Sequence, residues 1–429
     1  MSTSEARSEL VGRAIPPAPV SHLSNATFFS SLVGELSGEL KLGCQISNYI
    51  EADLIRLQWP TGMIYGSEAE LSKRFQVGRA VIREAIRVLE VRGSARMRRG
   101  PNGGLQVLRP SRAQSVALAV DYVSLLSVSP AQVAIAQGFI DNIKRRLTHD
   151  EPSHDCGDSL PLQQIDTVAL PFFEELIGKL GKSGDCCTQD DIRPSLHRTR
   201  AAQIARRLMA ECTSRRTAEG MKLGSTLDLC ERYATDRGVL RQAIRILESA
   251  GAVASLGGRG HGVVSQVPRP ASVCRLISCH FAAHGLSTVA AMKLFHATSV
   301  EAAARVAQLA GPDDVARIHA ALQKFENSPV THIMFEVEES LTRTLDNPLI
   351  DLILLSTKAF SCWEISGSED FVQLDRVYLT ETRKLADAIA QRDALGAAAA
   401  QDAKYRRLAE VWGHYVRADG AGGYYLTAC

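Results

Sequence analysis

Apolar residues recur at helical spacing over most of the chain. In the first clear run, Gln45 to Leu57, residues Ile46, Ile50, Leu54 and Leu57 share one face, and Trp59, Pro60 and Gly62 end the helix. Ser67 stands three residues before Glu70, a capping-box pattern that predicts a short helix through Phe75 with Leu71 buried. Gln76 to Gly78 make a turn. A longer helix follows from Arg79 to Leu89, with Ile82, Ala85, Ile86 and Leu89 on its buried stripe and Gly93 closing it. Ala95 to Met97 and Leu105 to Leu108 flank RRGPNGG as two short strands joined by a glycine-rich hairpin. Three helices and a hairpin predict a winged helix-turn-helix.

The pattern occurs twice. Gly66 to Gly93 matches Gly224 to Gly251 without a gap, 158 residues apart, with 13 of 28 positions identical, where average composition gives about two. The second unit repeats the order with helices at Gln203 to Cys212, Ser225 to Tyr233 and Arg237 to Leu247, and a hairpin around Gly257 to Gly262. After the first unit, Ser115 to Leu147 is helical in pattern, and Phe172 to Leu180 again. After the second, helical pattern runs from Ser272 to about Tyr415. The expected organisation is a disordered tail over 1–40, winged helices at 41–110 and 197–269, a helical linker or truncated unit at 111–196, a helical domain at 270–416 and a short tail at 417–429. The fold class is mainly α with small β-wings.

Composition narrows the function classes. A chain of 429 residues with 45% hydrophobic and 22% charged residues is ordinary globular protein of two or more domains. The most apolar run, Leu349 to Leu355, is broken by Asp351 and too short for a membrane helix. The N-terminus carries early acidic residues and no apolar core of a secretory signal, so the expected location is cytoplasmic. The ten cysteines are scattered, which predicts reduced thiols. No phosphate-binding glycine loop, nucleophile elbow or paired metalloprotease histidines occur, so no catalytic residue and no cofactor are expected.

The net charge of +2 conceals a local excess. Between Lys73 and Arg99 nine residues are basic and two acidic, and Arg79, Arg83 and Arg87 repeat every four positions away from the apolar stripe. In a helix-turn-helix the second helix enters the major groove, where arginine contacts guanine or phosphate. Arg98 and Arg99 add charge to the wing. An arginine row on one isolated helix is usually a solvated face, but here it lies on the recognition helix of a complete motif and recurs. Unit 2 keeps Arg237, Arg241 and Arg245 on that helix and Arg259 and His261 at the wing. Between Glu231 and His261 it has five basic residues against three acidic, and Asp236 stands where an anion would repel phosphate. Unit 2 is expected to bind more weakly.

The stretch from GSEAELSKRF to RRGPNGGLQV resembles the N-terminal domain of GntR-family bacterial transcription regulators, and unit 2 is a more divergent example. The resemblance implies that Gly78, Arg79, Ala80, Val81 and Arg83, with the wing tip near Gly100 and Gly103, face operator DNA. In unit 2 these positions are Asp236, Arg237, Gly238, Val239, Arg241 and Gly260. The family's basic residue before the Glu-Leu of the second helix is absent, since Ala69 and Leu227 stand there. The region from Ser272 to Tyr415 is similar, more loosely, to the FadR-type effector domain, through EAAARVAQLA and ESLTRTLDNPLIDLI. Many such domains hold a metal with one Asp and three His. The corresponding positions are Met334, Glu338, Thr382 and Lys404, so a metal-free or vestigial pocket is expected. Zinc at Cys274, Cys279, His280 and His284, or at His149, His154, Cys156, Cys186 and Cys187, lacks finger spacing.

The expectation is a sequence-specific DNA-binding regulator, a repressor, using tandem winged helices on a double-stranded operator, and not an enzyme. The alternative is a protein-interaction or ligand-sensing module whose winged helices no longer bind DNA. A small-molecule effector in the helical domain stays open. So does the assembly: a one-chain pseudo-dimer on an imperfect palindrome, or a homodimer with four winged helices.

Overall fold

The computed structural model describes residues 42–100, 103–126, 128–149, 159–182, 200–214, 221–249, 252–255, 262–266, 271–328, 331–361, 372–413, 416–418 and 424–426. The expected tail over 1–40 lies outside them. Unit 1 comprises α1 (Leu42–Arg56), α2 (Glu68–Phe75), α3 (Arg79–Arg92) and the antiparallel strands β1 (Ala95–Arg98) and β2 (Gly104–Val107). Ser67 accepts from the Glu70 N–H while Glu70 reaches back to the Ser67 N–H, which satisfies two donors at the start of α2. Gly93, in the left-handed region, ends α3. Ile46, Ile50, Leu54, Leu71, Ile82, Ala85, Leu89 and Leu105 pack into one small core. Trp59 closes its edge, its indole N–H donating to the Leu108 carbonyl at 2.7 Å.

Unit 2 repeats this with α8 (Arg200–Ser214), β3 (Lys222–Gly224), α9 (Thr226–Arg232), α10 (Arg237–Ser249), β4 (Val253–Ser255) and β5 (Val263–Ser265) around a second core. Ser225 and Asp228 form its capping box. The sequence reading missed β3. It pairs with β5 through Lys222 and Val264, and unit 1 has the matching bridge between Ile64 and Gln106. Gly104, the first residue of β2, and Gly262, directly before β5, are equivalent in the repeat, with φ of +156° and +75°. A Cβ there would lie 2.8 Å from the Gly66 carbonyl oxygen and 2.4 Å from that of Gly224, so the sheet closes only on glycine.

The remaining helices form one body. After unit 1 come α4 (Arg112–Leu125), α5 (Pro130–His149), and α6 (Ser159–Gln164) running through a π turn (Ile165–Ala169) into α7 (Leu170–Lys182). After unit 2 come α11 (Ala271–Ala283), α12 (Thr288–Leu309), α13 (Pro312–Asn327), α14 (Thr331–Thr342), α15 (Pro348–Ser361), α16 (Val372–Ala390) and α17 (Ala394–Gly413). The stretch expected to include a linker is part of this body: Val116, Phe139, Ile143, Phe172 and Phe173 share one core with Ile277, Phe281, Leu294 and Ile353. Polar ties follow the same seam. The buried Glu301 carboxylate on α12 accepts from Asn142 at 2.5 Å and Arg146 at 3.0 Å on α5, and Asn347 donates to the Gln132 carbonyl at 2.9 Å. Ser129 and Ser287, again 158 residues apart, each accept the N–H three residues on at 3.2 Å, so the repeat extends into these helices.

The first helix behind each winged helix crosses over. Helix α11 continues from unit 2 yet packs on α1 of unit 1, while α4 continues from unit 1 and packs on α8 of unit 2. Cys279 and Ala283 of α11 belong to the core of unit 1. The two crossing helices also pack on each other. In the tail expected to be irregular, β6 (Val416–Ala418) and β7 (Tyr424–Leu426) pair antiparallel, in keeping with their β-branched and aromatic residues.

Helix α15 explains the apolar run around Asp351. Leu349, Ile350, Leu352, Ile353 and Leu354 are all buried. Among the described residues no helix is long and apolar enough to cross a membrane. Burial, reinforced by Asp346 and Glu339, pushes the Asp351 carboxyl up to about 7. The folded chain therefore holds a proton that the unfolded chain releases near pH 4, and this group lowers stability as pH rises from about 4 to 7. Asp351→Asn should remove that loss. Thermal melts should show the variant gaining on the wild type as pH rises to 8, by at most about 4 kcal/mol; a pH-independent difference would contradict this.

Candidate nucleic-acid interface

In unit 1 the predicted stripe stands outside the core. Gly78, Arg79, Ala80, Arg83 and Arg87 are exposed, and Val81 is half-buried against the core. Helix α3 starts at Gly78 with no side-chain cap, so its first N–H groups carry the helix's partial positive charge toward solvent. Arg83 is not idle: its Nε donates to both oxygens of Glu68, at 3.0 and 3.1 Å. Both side chains reach solvent, so the pair is weak and exchangeable. The charge count from Lys73 onward passed over Glu68, which lies one helix earlier. It also included Arg92, which faces inward and pairs with the buried Glu51 at 2.6 Å. At the wing, Arg98, Arg99 and Gly100 are exposed, and the Gly103 N–H donates to the Gly100 carbonyl at 2.9 Å to tighten the turn.

In unit 2, Arg237, Gly238, Arg241 and Arg245 are likewise exposed along α10, while Arg259, Gly260 and His261 lie outside the described residues. Asp236 does more than oppose phosphate. One carboxylate oxygen accepts the N–H groups of Gly238 at 2.7 Å and Val239 at 3.0 Å, and these bonds hold the carboxyl below its usual range. It is the helix's own cap. The Gly238 N–H closed by this anion corresponds to that of Ala80, to which Gly78 offers no side-chain cap, whereas the Val81 N–H already donates to the Gly78 carbonyl at 3.0 Å. An Asp directly before a helical stripe is a cap signal visible in the sequence. Ala69 and Leu227 are both exposed, so neither replaces the missing basic residue by burial.

The positions implied for a metal do come together, on α14, α16 and α17, with different chemistry. The Lys404 ammonium, fully buried, lies 2.9 Å from Glu338 Oε1, and the Tyr378 hydroxyl donates to the same oxygen at 2.7 Å. The ammonium also sits 5.1 Å from the Tyr378 ring centre and 5.3 Å from that of Tyr405. Thr382 donates to the Tyr378 carbonyl at 2.6 Å, and Met334 presents its carbonyl to Tyr378 at 3.4 Å. Burial opposes ionisation of Glu338, but Lys404, aided by Lys358 and Tyr378, outweighs it and holds the carboxyl below its ordinary range. One carboxylate already neutralised by an ammonium, with no imidazole, does not fit a divalent ion.

The thiols and imidazoles of α11 are not gathered either. Cys274 lies in the core of the helical body and Cys279 in that of unit 1. His280 stacks on His284 at 4.3 Å, and burial lowers its pKa to about 3. Of the second proposed set, all but His149 fall outside the described residues, and no group of three metal-ligating side chains occurs among the described ones.

The family model for bacterial regulatory proteins, gntR family, matches the chain twice, over residues 42–102 and 200–263. Among solved structures the chain is similar to Streptococcus agalactiae GntR, 18% identical, covering 50% of this chain and 99% of that one with a TM-score of 0.37. It is also similar to E. coli McbR/YncC, 13% identical over 51% of this chain and 99% of that one, TM-score 0.27. No curated protein matches it.

The Glu338–Lys404 pair can be tested without DNA. Glu338→Gln leaves a buried ammonium without its counter-charge and should cost about 3 to 5 kcal/mol in denaturant unfolding. Joint replacement with Lys404→Met should cost less than the single change. Zinc, nickel, manganese and chelators should leave the melting temperature of the wild type where it is; a rise with any one metal would contradict the assignment.

Proposed function

We propose that the chain, which matches the family model for bacterial regulatory proteins, gntR family, over residues 42–102 and 200–263, is a sequence-specific transcription regulator, a repressor, whose two winged helices read one double-stranded operator. The observation that carries this is the recurrence, on both recognition helices, of an exposed arginine row at the same spacing, Arg79, Arg83, Arg87 and Arg237, Arg241, Arg245. A module that used its winged helices only for packing would bury that face.

Each arginine has a role its position suggests. Arg79 and Arg83, at the start of α3, reach base edges and adjoining phosphates. Arg83 exchanges Glu68 for DNA, a swap that favours the polyanion because the ion pair it leaves is exposed. Arg98 and Arg99 at the wing contact phosphate or the minor groove. Unit 2 follows the same pose with a weaker grip, because Asp236 already holds the backbone donors that would receive a phosphate. The operator is then an imperfect palindrome with its stronger half under unit 1. Because the crossed helices α4 and α11 tie both units to one helical body, one chain presents both reading heads.

Binding of a duplex enriched from a random library should fall more for Arg79→Ala with Arg83→Ala than for Arg237→Ala with Arg241→Ala, with about 1 to 3 kcal/mol per lost base contact. The reverse order would overturn the ranking. Arg98→Ala should weaken all duplexes alike and flatten the salt dependence. Asp236→Ser, which keeps a cap and removes the charge, should tighten binding, whereas Gly78→Asp should weaken it; no change in either would remove the cap from the account.

A further inference from the structure

Helix α11 carries a residue whose position bears on how unit 1 is aimed. Arg275 is 1% exposed and among the largest fully buried side chains. Its Nη1 donates to the Asn48 carbonyl of α1 at 3.4 Å. The Asn48 side-chain oxygen accepts from Arg92 at 3.0 Å, and Arg92 donates to Glu51 at 2.6 Å. The other Glu51 oxygen accepts from the Ser94 hydroxyl at 2.7 Å. Arg92 is the last residue of the recognition helix α3, and Ser94 directly precedes the wing strand β1. One buried polar network thus joins the end of the recognition helix, the root of the wing and a helix that arrives from unit 2. Around it Cys279 and Ala283 fill the core of unit 1, while Cys274, Ile277 and Phe281 on the same helix fill the core of the helical body.

The arrangement is one-sided. At the repeat offset of 158, unit 2 has Arg206 for Asn48, Met209 for Glu51, Ala250 for Arg92 and Ala252 for Ser94, and α4 has Ala117 for Arg275. At these places the sequence of unit 2 supplies no acidic residue to receive a buried guanidinium. A guanidinium buried between α11 and α1 tolerates little change of angle, because rotating α11 against α1 would break its bond to the Asn48 carbonyl and leave the charge away from water. Apolar seats slide more readily.

We propose that Arg275 is a positioning residue for DNA reading: supplied by the second unit, it fixes the angle of the first unit's recognition helix and wing on the helical body. Unit 2, lacking the network, is the head that adjusts to the spacing of the second half-site. A displacement of α11, which also packs on α15, is transmitted to unit 1 through this residue. The inference rests on the DNA-reading function above, and its test separates the two.

The full-length wild type, Arg275→Met and Arg275→Lys are compared in two measurements. The first is labelling of Cys279 by a thiol reagent in the folded protein, which needs no DNA. The expected result is slow labelling in the wild type, at least tenfold faster labelling in Arg275→Met, and an intermediate rate in Arg275→Lys. The second is affinity for the enriched duplex against a random duplex of equal length. Arg275→Met should lose at least tenfold in the ratio of the two affinities while its affinity for random duplex stays unchanged, since phosphate contacts remain and only aim is lost. A merely structural role would lower both affinities together. Unchanged labelling overturns the lock, and an unchanged ratio with faster labelling overturns the positioning role. A wild type that enriches no duplex refutes the DNA reading instead, and leaves the labelling rates to decide the lock.

Discussion

The structure depends on the crossing of α4 and α11. Each helix leaves its own winged helix and packs on the other one, and Cys279 and Ala283 of α11 complete the core of unit 1. Neither winged helix is therefore a bead on a flexible string. Chain that could have been a spacer between the repeats contributes Phe139, Phe172 and Phe173 to the main core, so cutting it out would open that core. What two chains do in a symmetric assembly by exchanging an element, this chain does within itself.

Duplication inside one chain frees the halves to diverge, and the differences point the same way. Unit 1 leaves the start of its recognition helix open and anchors the end of that helix through Arg92, Glu51 and Arg275. Unit 2 closes the start with Asp236 and has no counterpart of the anchor. On the proposed function, an open, fixed head and a capped head without the anchor would suit a site with one strong and one weak half. In the helical body, the place where the family resemblance implies a metal is filled by Lys404 against Glu338. A cation carried by the chain itself keeps those helices together at any metal concentration.

Local chemistry made the winged helices legible. Ser67 with Glu70, Ser225 in its cap, Gly93 and the arginine row all act within a few residues of themselves, so their spacing is enough to read them. Strand β3 was missed because three residues, Lys222 to Gly224, carry no alternation to detect, and the strand exists only through pairing with β5. Arg83 and Arg92 were misweighed because a charge count cannot tell a solvated guanidinium from one held by a carboxylate. The crossing was illegible for a deeper reason: the apolar faces of α4 and α11 require burial but do not say against what. Lys404 shows the converse. Its position was found by resemblance, while its partner became evident only once α14 and α17 were side by side.

The central claim is that one chain is a complete two-headed reader. Light scattering of the protein bound to a duplex carrying a single two-part site tests it most directly. The account predicts one chain per duplex, with Arg237→Ala and Arg241→Ala shortening the protected stretch to one half. Two chains on the single site, with the protected length unchanged by those substitutions, would contradict it and leave unit 2 as a packing remnant.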